Sequence, residues 1–166
     1  AKAKERAEGA LRYFPSVLVK NLNRNGAYTV SVKKGAKEGL HSTGGYGGPS
    51  ITVAGTGRSA ASVMVHEMGH AIEHTNPRIA RIVAEFFKRR TQGQKLTESK
   101  KYKGARCYKD KFADEYTGRV YEHGGGNRGV EVFTTGLQKL YFNEDGGHEK
   151  DREHIELIIG LLLGVK

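Results

Sequence analysis

The sequence predicts an α+β fold, with short strands confined to the N-terminal half and helices dominating the rest. Three observations carry this. Strand-like alternation occurs only before residue 56, apolar residues recur at helical spacing in four later segments, and glycine is abundant, 23 of 166 residues against 37% apolar content. Such a chain has a few packed elements separated by loops. Its length fits a single domain, 1–166, with a real core.

Residues 1–12 predict a short helix ended before Pro15. In "AYTVSVKK", Tyr28, Val30 and Val32 alternate with Thr29 and Ser31, a strand signal. "GLHSTGGYGGPS" reads as a Gly-rich loop and "ITVAG" as a second strand. Ser59 is placed to cap a helix running to about His74, and Asn76-Pro77 to start another reaching about Arg90 through Ile79, Ile82, Val83, Phe86 and Phe87. From Thr91 to Lys111 the chain is polar and basic, an expected exposed excursion. "YEHGGGNRG" reads as a turn. "VEVFTTGLQKLYF" shows Val130, Phe133, Leu137 and Leu140 at helical period, and "REHIELIIGLLLG" closes the chain as an apolar, buried helix.

The net charge of +10 fits either an acidic partner such as nucleic acid or a soluble basic surface. One cysteine, Cys107, excludes an intrachain disulfide and a cysteine-based zinc cluster, and is compatible with a reducing cytoplasm. The charged opening shows no signal peptide, and the longest apolar run, Leu157–Val165, is too short to span a bilayer. No membrane partner is expected. Lacking an initiator Met, the sequence reads as a domain from a longer chain or a processed product.

The chemistry lies in "VMVHEMGHAIEH". His66-Glu67-Met68-Gly69-His70 fits H-E-x-x-H, in which imidazoles one helical turn apart grip a zinc ion and the intervening glutamate faces its water. Zinc acidifies that water and Glu67 takes the proton as catalytic base. Average residue frequencies produce the pattern by chance in under ~1% of chains this long. The apolar flanks Val63, Met64, Val65, Ala71 and Ile72 argue against a solvated surface helix, because buried paired histidines need a partner.

The third ligand is less determined. Metzincins need Gly at position 73 and His at 76, where this chain has Glu73 and Asn76. His74 lies two turns from His66, roughly 12 Å along a helix, beyond what one zinc can bridge. The candidates downstream are Glu115, Glu122, His123, Glu131, Glu144 and His148. Glu131 leads, sitting beside a strong apolar stripe that can hold it rigidly, and Glu115 of "FADEY" follows. "ITVAG" is placed to act as an edge strand for an extended peptide. Tyr116, Tyr121 and His123 are candidate oxyanion stabilisers. The basic run from Lys100 to Lys111 reads as a solvated loop, with Tyr102 and Tyr108 leaving a nucleic-acid surface open.

The order HExGH, "KFADEYTGRVY", "GVEVFTTGLQKLY", then an acidic segment before "HIELIIGLLLG" resembles the zinc-peptidase-like domain of phage head-morphogenesis (minor head) proteins over residues 60–164. Those domains resemble gluzincins. The resemblance implies a zincin-like fold: a small mixed or antiparallel sheet packed on the HExxH helix, with a helical C-terminal lobe. It implies His66, His70 and Glu131 as zinc ligands and Glu67 as general base, in a cytoplasmic or virion-associated protein. Where the family shows Ser-Met before the helix glycine, this chain has Thr134-Thr135. The expected function is a zinc-dependent endopeptidase acting on a peptide or protein. The alternatives are a zinc-stapled structural or DNA-contacting module among phage head proteins, and a toxin peptidase with the same site.

Overall fold

A computed structural model describes residues 2–22, 28–33, 40–42, 50–54, 59–109, 112–121 and 130–164, and its architecture is α+β. The chain divides into two compact units, Ala1–Pro77 with Gly160–Lys166, and Arg78–Ile159. Among the described residues no helix is long and apolar enough to cross a membrane.

The first unit holds α1 (Lys2–Leu11), α2 (Ser16–Asn21), β1 (Thr29–Lys33), β2 (Leu40–Ser42), β3 (Ser50–Ala54) and α3 (Ser59–Thr75). Its sheet has the order β1-β3-β2, with β1 parallel and β2 antiparallel to β3. Ser31 and Thr52 are register partners whose hydroxyls lie 3.0 Å apart on the exposed face. The strands alternate, so Ile51 occupies the other face and is buried. α3 packs on β3 and β2, and α1 packs on α3 and β1.

Two expectations need correction here. The Gly-rich stretch after residue 38 contains a strand, β2, too short to show periodicity. That strand flanks β3 at Ser50–Thr52, so "ITVAG" is the central strand among the described residues and not the edge expected for a peptide.

The second unit holds α4 (Pro77–Thr91, counted from its second residue), β4 (Thr97–Glu98), β5 (Arg106–Cys107), β6 (Arg119–Val120), α5 (Val132–Phe142), α6 (Gly147–Lys150) and α7 (Arg152–Gly164, to Ile159). α4 buries Ile79, Val83, Phe86 and Phe87 along one face, as its 3.6-residue period demands. Arg90 at its end forks onto the Asp151 carboxylate at 2.9 and 3.0 Å, while Arg89 donates to Glu153 at 2.6 Å. The segment expected as an exposed excursion does leave Lys95, Lys100, Lys101, Lys103 and Arg106 exposed, but it also supplies β4 and β5, which join β6 in an antiparallel sheet and bury Ala105 and Cys107. Strands of two residues carry no alternation, which hides them in sequence. Phe87 lies between Tyr108 and Phe112, with ring centroids 5.9 and 5.8 Å away.

α5 is buried from Val132 to Leu137 and again at Lys139, which is 1% exposed. An ammonium this deep needs compensation. Lys139 Nζ donates to the Asp114 carboxylate and, at 2.8 Å, to Thr117 Oγ1. Asp114 also accepts from the Thr117 backbone N–H at 2.9 Å and its hydroxyl at 2.7 Å. Burial alone would raise the Asp114 carboxyl, but the Lys139 ammonium and these donors hold it below its usual range.

α7 buries Ile155, Ile158, Leu161 and Leu162, yet Ile159 is 39% and Leu163 80% exposed. The expected burial thus holds for one face of the helix only, because apolar composition masks which face meets solvent.

α5 and α7 meet at Gly136, where a Cβ would stand 2.4 Å from Ile158 Cγ1 and 2.7 Å from His154 Nε2. Both neighbours are themselves fully buried and cannot swing aside. Gly136→Ala should therefore cost about 1–3 kcal/mol or more, read as a lower denaturant midpoint; an unchanged midpoint would contradict the close crossing.

His154 is fully buried, its Nε2 2.6 Å from the Val132 carbonyl oxygen, and its Nδ1 has no partner among the described residues. Burial and then the Lys139 ammonium push its pKa down to about 4, against the pull of Val132 O, Asp151 and Asp114. A depressed folded pKa means the neutral form is favoured by folding. This contribution is complete above about pH 6.5, the unfolded value, and is lost as pH falls towards 4. Stability should drop by up to about 3 kcal/mol across that window, and His154→Leu, though less stable at neutral pH, should show a shallower slope. Parallel pH–stability curves for the two proteins would rule the effect out.

Candidate metal centre

α3 carries the whole His66-Glu67-Met68-Gly69-His70 stretch in regular helix. Four residues make about 1.1 turns, so His66 and His70 project from one face. Their ring centroids are 4.8 Å apart, with the planes nearly perpendicular at 85°. The flanks are sealed: Met64, Val65 and Ala71 are wholly inaccessible and Ile72 nearly so. His66 and Glu67 are buried with them, at 7% and 6% exposure, and His70 is half-buried. The apolar flanks thus fix the helix, and the helix fixes the pair.

Glu131 occupies the N-cap position of α5 and is 2% exposed. Its carbonyl oxygen accepts from the Thr135 backbone N–H at 3.0 Å and the Thr135 hydroxyl at 2.6 Å. Its carboxylate accepts from the Tyr121 hydroxyl on one oxygen and from Thr134 Oγ1, at 3.2 Å, on the other. Thr117 Oγ1 lies 2.8 Å from Thr135 Oγ1, so the Lys139–Asp114 network reaches the residue that ties down the Glu131 backbone. Burial, reinforced by the adjacent carboxylate, keeps the Tyr121 hydroxyl protonated far beyond its ordinary range. The Arg119 guanidinium covers the Tyr121 ring at 4.5 Å.

His66, His70 and Glu131 each offer one ligand atom, and these atoms all lie within 4.8 Å of one another. It is the one such group of three among the described residues. The donor set, two imidazoles and a carboxylate, suits zinc and related divalent ions.

The other candidates are placed elsewhere or not described. His74 is exposed in the last turn of α3. Glu115 accepts from Ser99 Oγ at 2.6 Å, which lowers its pKa, and pairs with Lys109 at 3.6 Å. Glu144 sits in a 3-10 turn, and the exposed His148 ring lies 3.0 Å from the Leu140 carbonyl oxygen. Tyr116 packs edge-on against Tyr102. Glu122 and His123 lie outside the described residues.

Tyr121, a candidate oxyanion donor by sequence, is engaged with Glu131. The supporting residues Asp114, Thr117, Thr135 and Lys139 were not found by sequence reasoning. One signal was present: Lys139 stands on the apolar stripe three residues after Gly136, where a charge requires a buried partner. Tyr121→Phe keeps the ring under Arg119 and removes only the donor. It should cost about 1.5 kcal/mol or more of unfolding free energy, the value of a hydrogen bond to a charged group; wild-type stability would mean that Glu131 does not depend on it.

Compared with protein-family models, curated proteins and solved structures, the chain matches none.

Proposed function

We propose that this protein is a zinc-dependent endopeptidase of the gluzincin kind, with His66, His70 and Glu131 as metal ligands and Glu67 as general base. The observation that carries this reading is the approach of the three ligand atoms to within 4.8 Å, with a buried glutamate beside the first histidine. When bound, zinc supplies Lewis-acid polarisation of a carbonyl and acidifies water. The chain's own residues do the rest. Glu67, one residue after the first ligand, takes the proton from the attacking water and returns it to the leaving amine. Tyr121 and Thr134 aim the Glu131 carboxylate, and Thr135 restrains its backbone. Tyr116 and His123 remain the candidates for steadying the oxyanion.

The zincin arrangement belongs to this proposal, and is supported by a mixed sheet lying on the HExxH helix. So does kinship with the peptidase-like domains of phage head-morphogenesis proteins, with a protein of the head as substrate or partner. A zinc that only staples the fold needs no general base, so the Glu67→Gln variant distinguishes the two roles. Metal analysis should find one zinc per chain, retained in Glu67→Gln and lost in His66→Ala and Glu131→Ala. Glu67→Gln should cut hydrolysis of a fluorogenic peptide library at least ~100-fold. Undiminished cleavage by that variant, or full zinc content in Glu131→Ala, would sink the reading.

A further inference from the structure

The chain's charge is unevenly spread. Residues 78–109 contain eleven Lys and Arg against two acidic residues, a net +9 of the chain's +10. Some of these cations are neutralised: Arg89 and Arg90 by Glu153 and Asp151, Lys109 by Glu115. Arg78, Arg81, Lys88, Lys95, Lys100, Lys101 and Lys103 are exposed and make no ion pair among the described residues. A surface evolved only for solubility intersperses both signs.

A groove of about 930 Å³ runs beside α4 within the same unit. Arg81 and Lys88, two helical turns apart, stand on its wall. Half-exposed Tyr108 contributes aromatic surface, backed by the buried Phe87 ring. Gln94 also lines it. Its Nε2 donates to the Arg90 carbonyl oxygen at 2.8 Å, whereas its Oε1 is buried with no partner among the described residues. An unmet acceptor costs free energy and awaits a donor.

We propose that this groove binds single-stranded nucleic acid. A base stacks on Tyr108 and offers an amino or imino N–H to Gln94 Oε1, while flanking phosphates meet Arg81 and Lys88. A base has the flat face and donor edge that the groove lacks, and a strand has the repeating charge that the remaining lysines of this unit match. A paired duplex turns its base faces inward and cannot offer them to a tyrosine on a groove wall. A free nucleotide would leave Lys95, Lys100, Lys101 and Lys103 without purpose.

Fluorescence anisotropy of labelled single-stranded DNA and RNA oligonucleotides, each titrated across salt concentration, tests this. Log affinity should fall with log salt by about 0.7 per phosphate neutralised. Arg81→Ala with Lys88→Ala should weaken binding and flatten that slope by about 1.4, with the unfolding midpoint unchanged because both residues are exposed. Tyr108→Leu should weaken binding about fivefold or more at unchanged slope, and Tyr108→Phe should restore it, separating stacking from folding. Lys4→Ala on α1 should bind as wild type. The ratio of DNA to RNA affinity assigns the strand type. The proposal is overturned if neither strand binds at low salt, if a duplex of equal length binds more tightly than both, or if the Arg81/Lys88 double variant keeps the wild-type slope.

Discussion

Polar groups withdrawn from water must find partners inside, and this constraint organises the second unit and both proposed sites. An unpaired buried amide or hydroxyl costs about 1–3 kcal/mol and an unpaired charge several times more. Lys139, Glu131 and His154 are all 2% exposed or less, within a unit of about eighty residues. Each therefore dictates what surrounds it. Lys139 requires Asp114, and Asp114 in turn recruits the hydroxyl and backbone N–H of Thr117. Glu131 requires Tyr121 and Thr134. These pairings join stretches of chain that have little other regular structure in common.

The network also explains why α5 has its sequence. The helix must let α7 approach closely, so position 136 has no Cβ. It must hold its own N-terminus, so Thr134 and Thr135 turn their hydroxyls back to Glu131 rather than outward. Mid-helix threonines bonding to a carbonyl four residues earlier are mildly unfavourable for a helix by itself. At this end the same bonds satisfy a carbonyl and fix a cap. Leu137 and Phe133 then supply the apolar burial that offsets the cost of the polar core. Replacing the Lys139–Asp114 pair with apolar residues of similar volume is often neutral for stability in such settings, but it would free Thr117 and with it the bracing of Thr135.

Much of this was legible in the sequence, and the exceptions share a cause. The long elements α3, α4, α5 and α7 announce themselves because a 3.6-residue period repeats several times within each. The His66–His70 pair follows from the same period, and Glu131 from its place at the head of the apolar stripe of α5. Strands of two or three residues contain too little pattern to read, so β2, β4 and β5 look like loop in sequence, and β3 like an edge. Pairings across non-local stretches, such as Tyr121 with Glu131 or Lys139 with Asp114, leave no periodic trace. A lysine in an apolar stripe shows that a partner exists without saying which. Surface charge behaves in the opposite way: its total is plain in composition, while its concentration beside one groove needs the fold.

The choice among carboxylates for a metal ligand rests on rigidity more than on proximity in sequence. A ligand held on a loop pays ordering entropy when it binds, whereas one already fixed does not. Glu115 accepts from Ser99 and already faces the Lys109 ammonium, a cation of the chain's own. Glu131 differs in how it is restrained. Its backbone is held by Thr135 at the start of a buried helix, and each carboxylate oxygen has one neutral donor, Tyr121 or Thr134. A carboxylate has about four acceptor positions on its two oxygens, so these donors orient it and leave lone pairs available. In the reading proposed here, a carboxylate already locked in place and shielded from water is what a divalent ion beside two imidazoles requires.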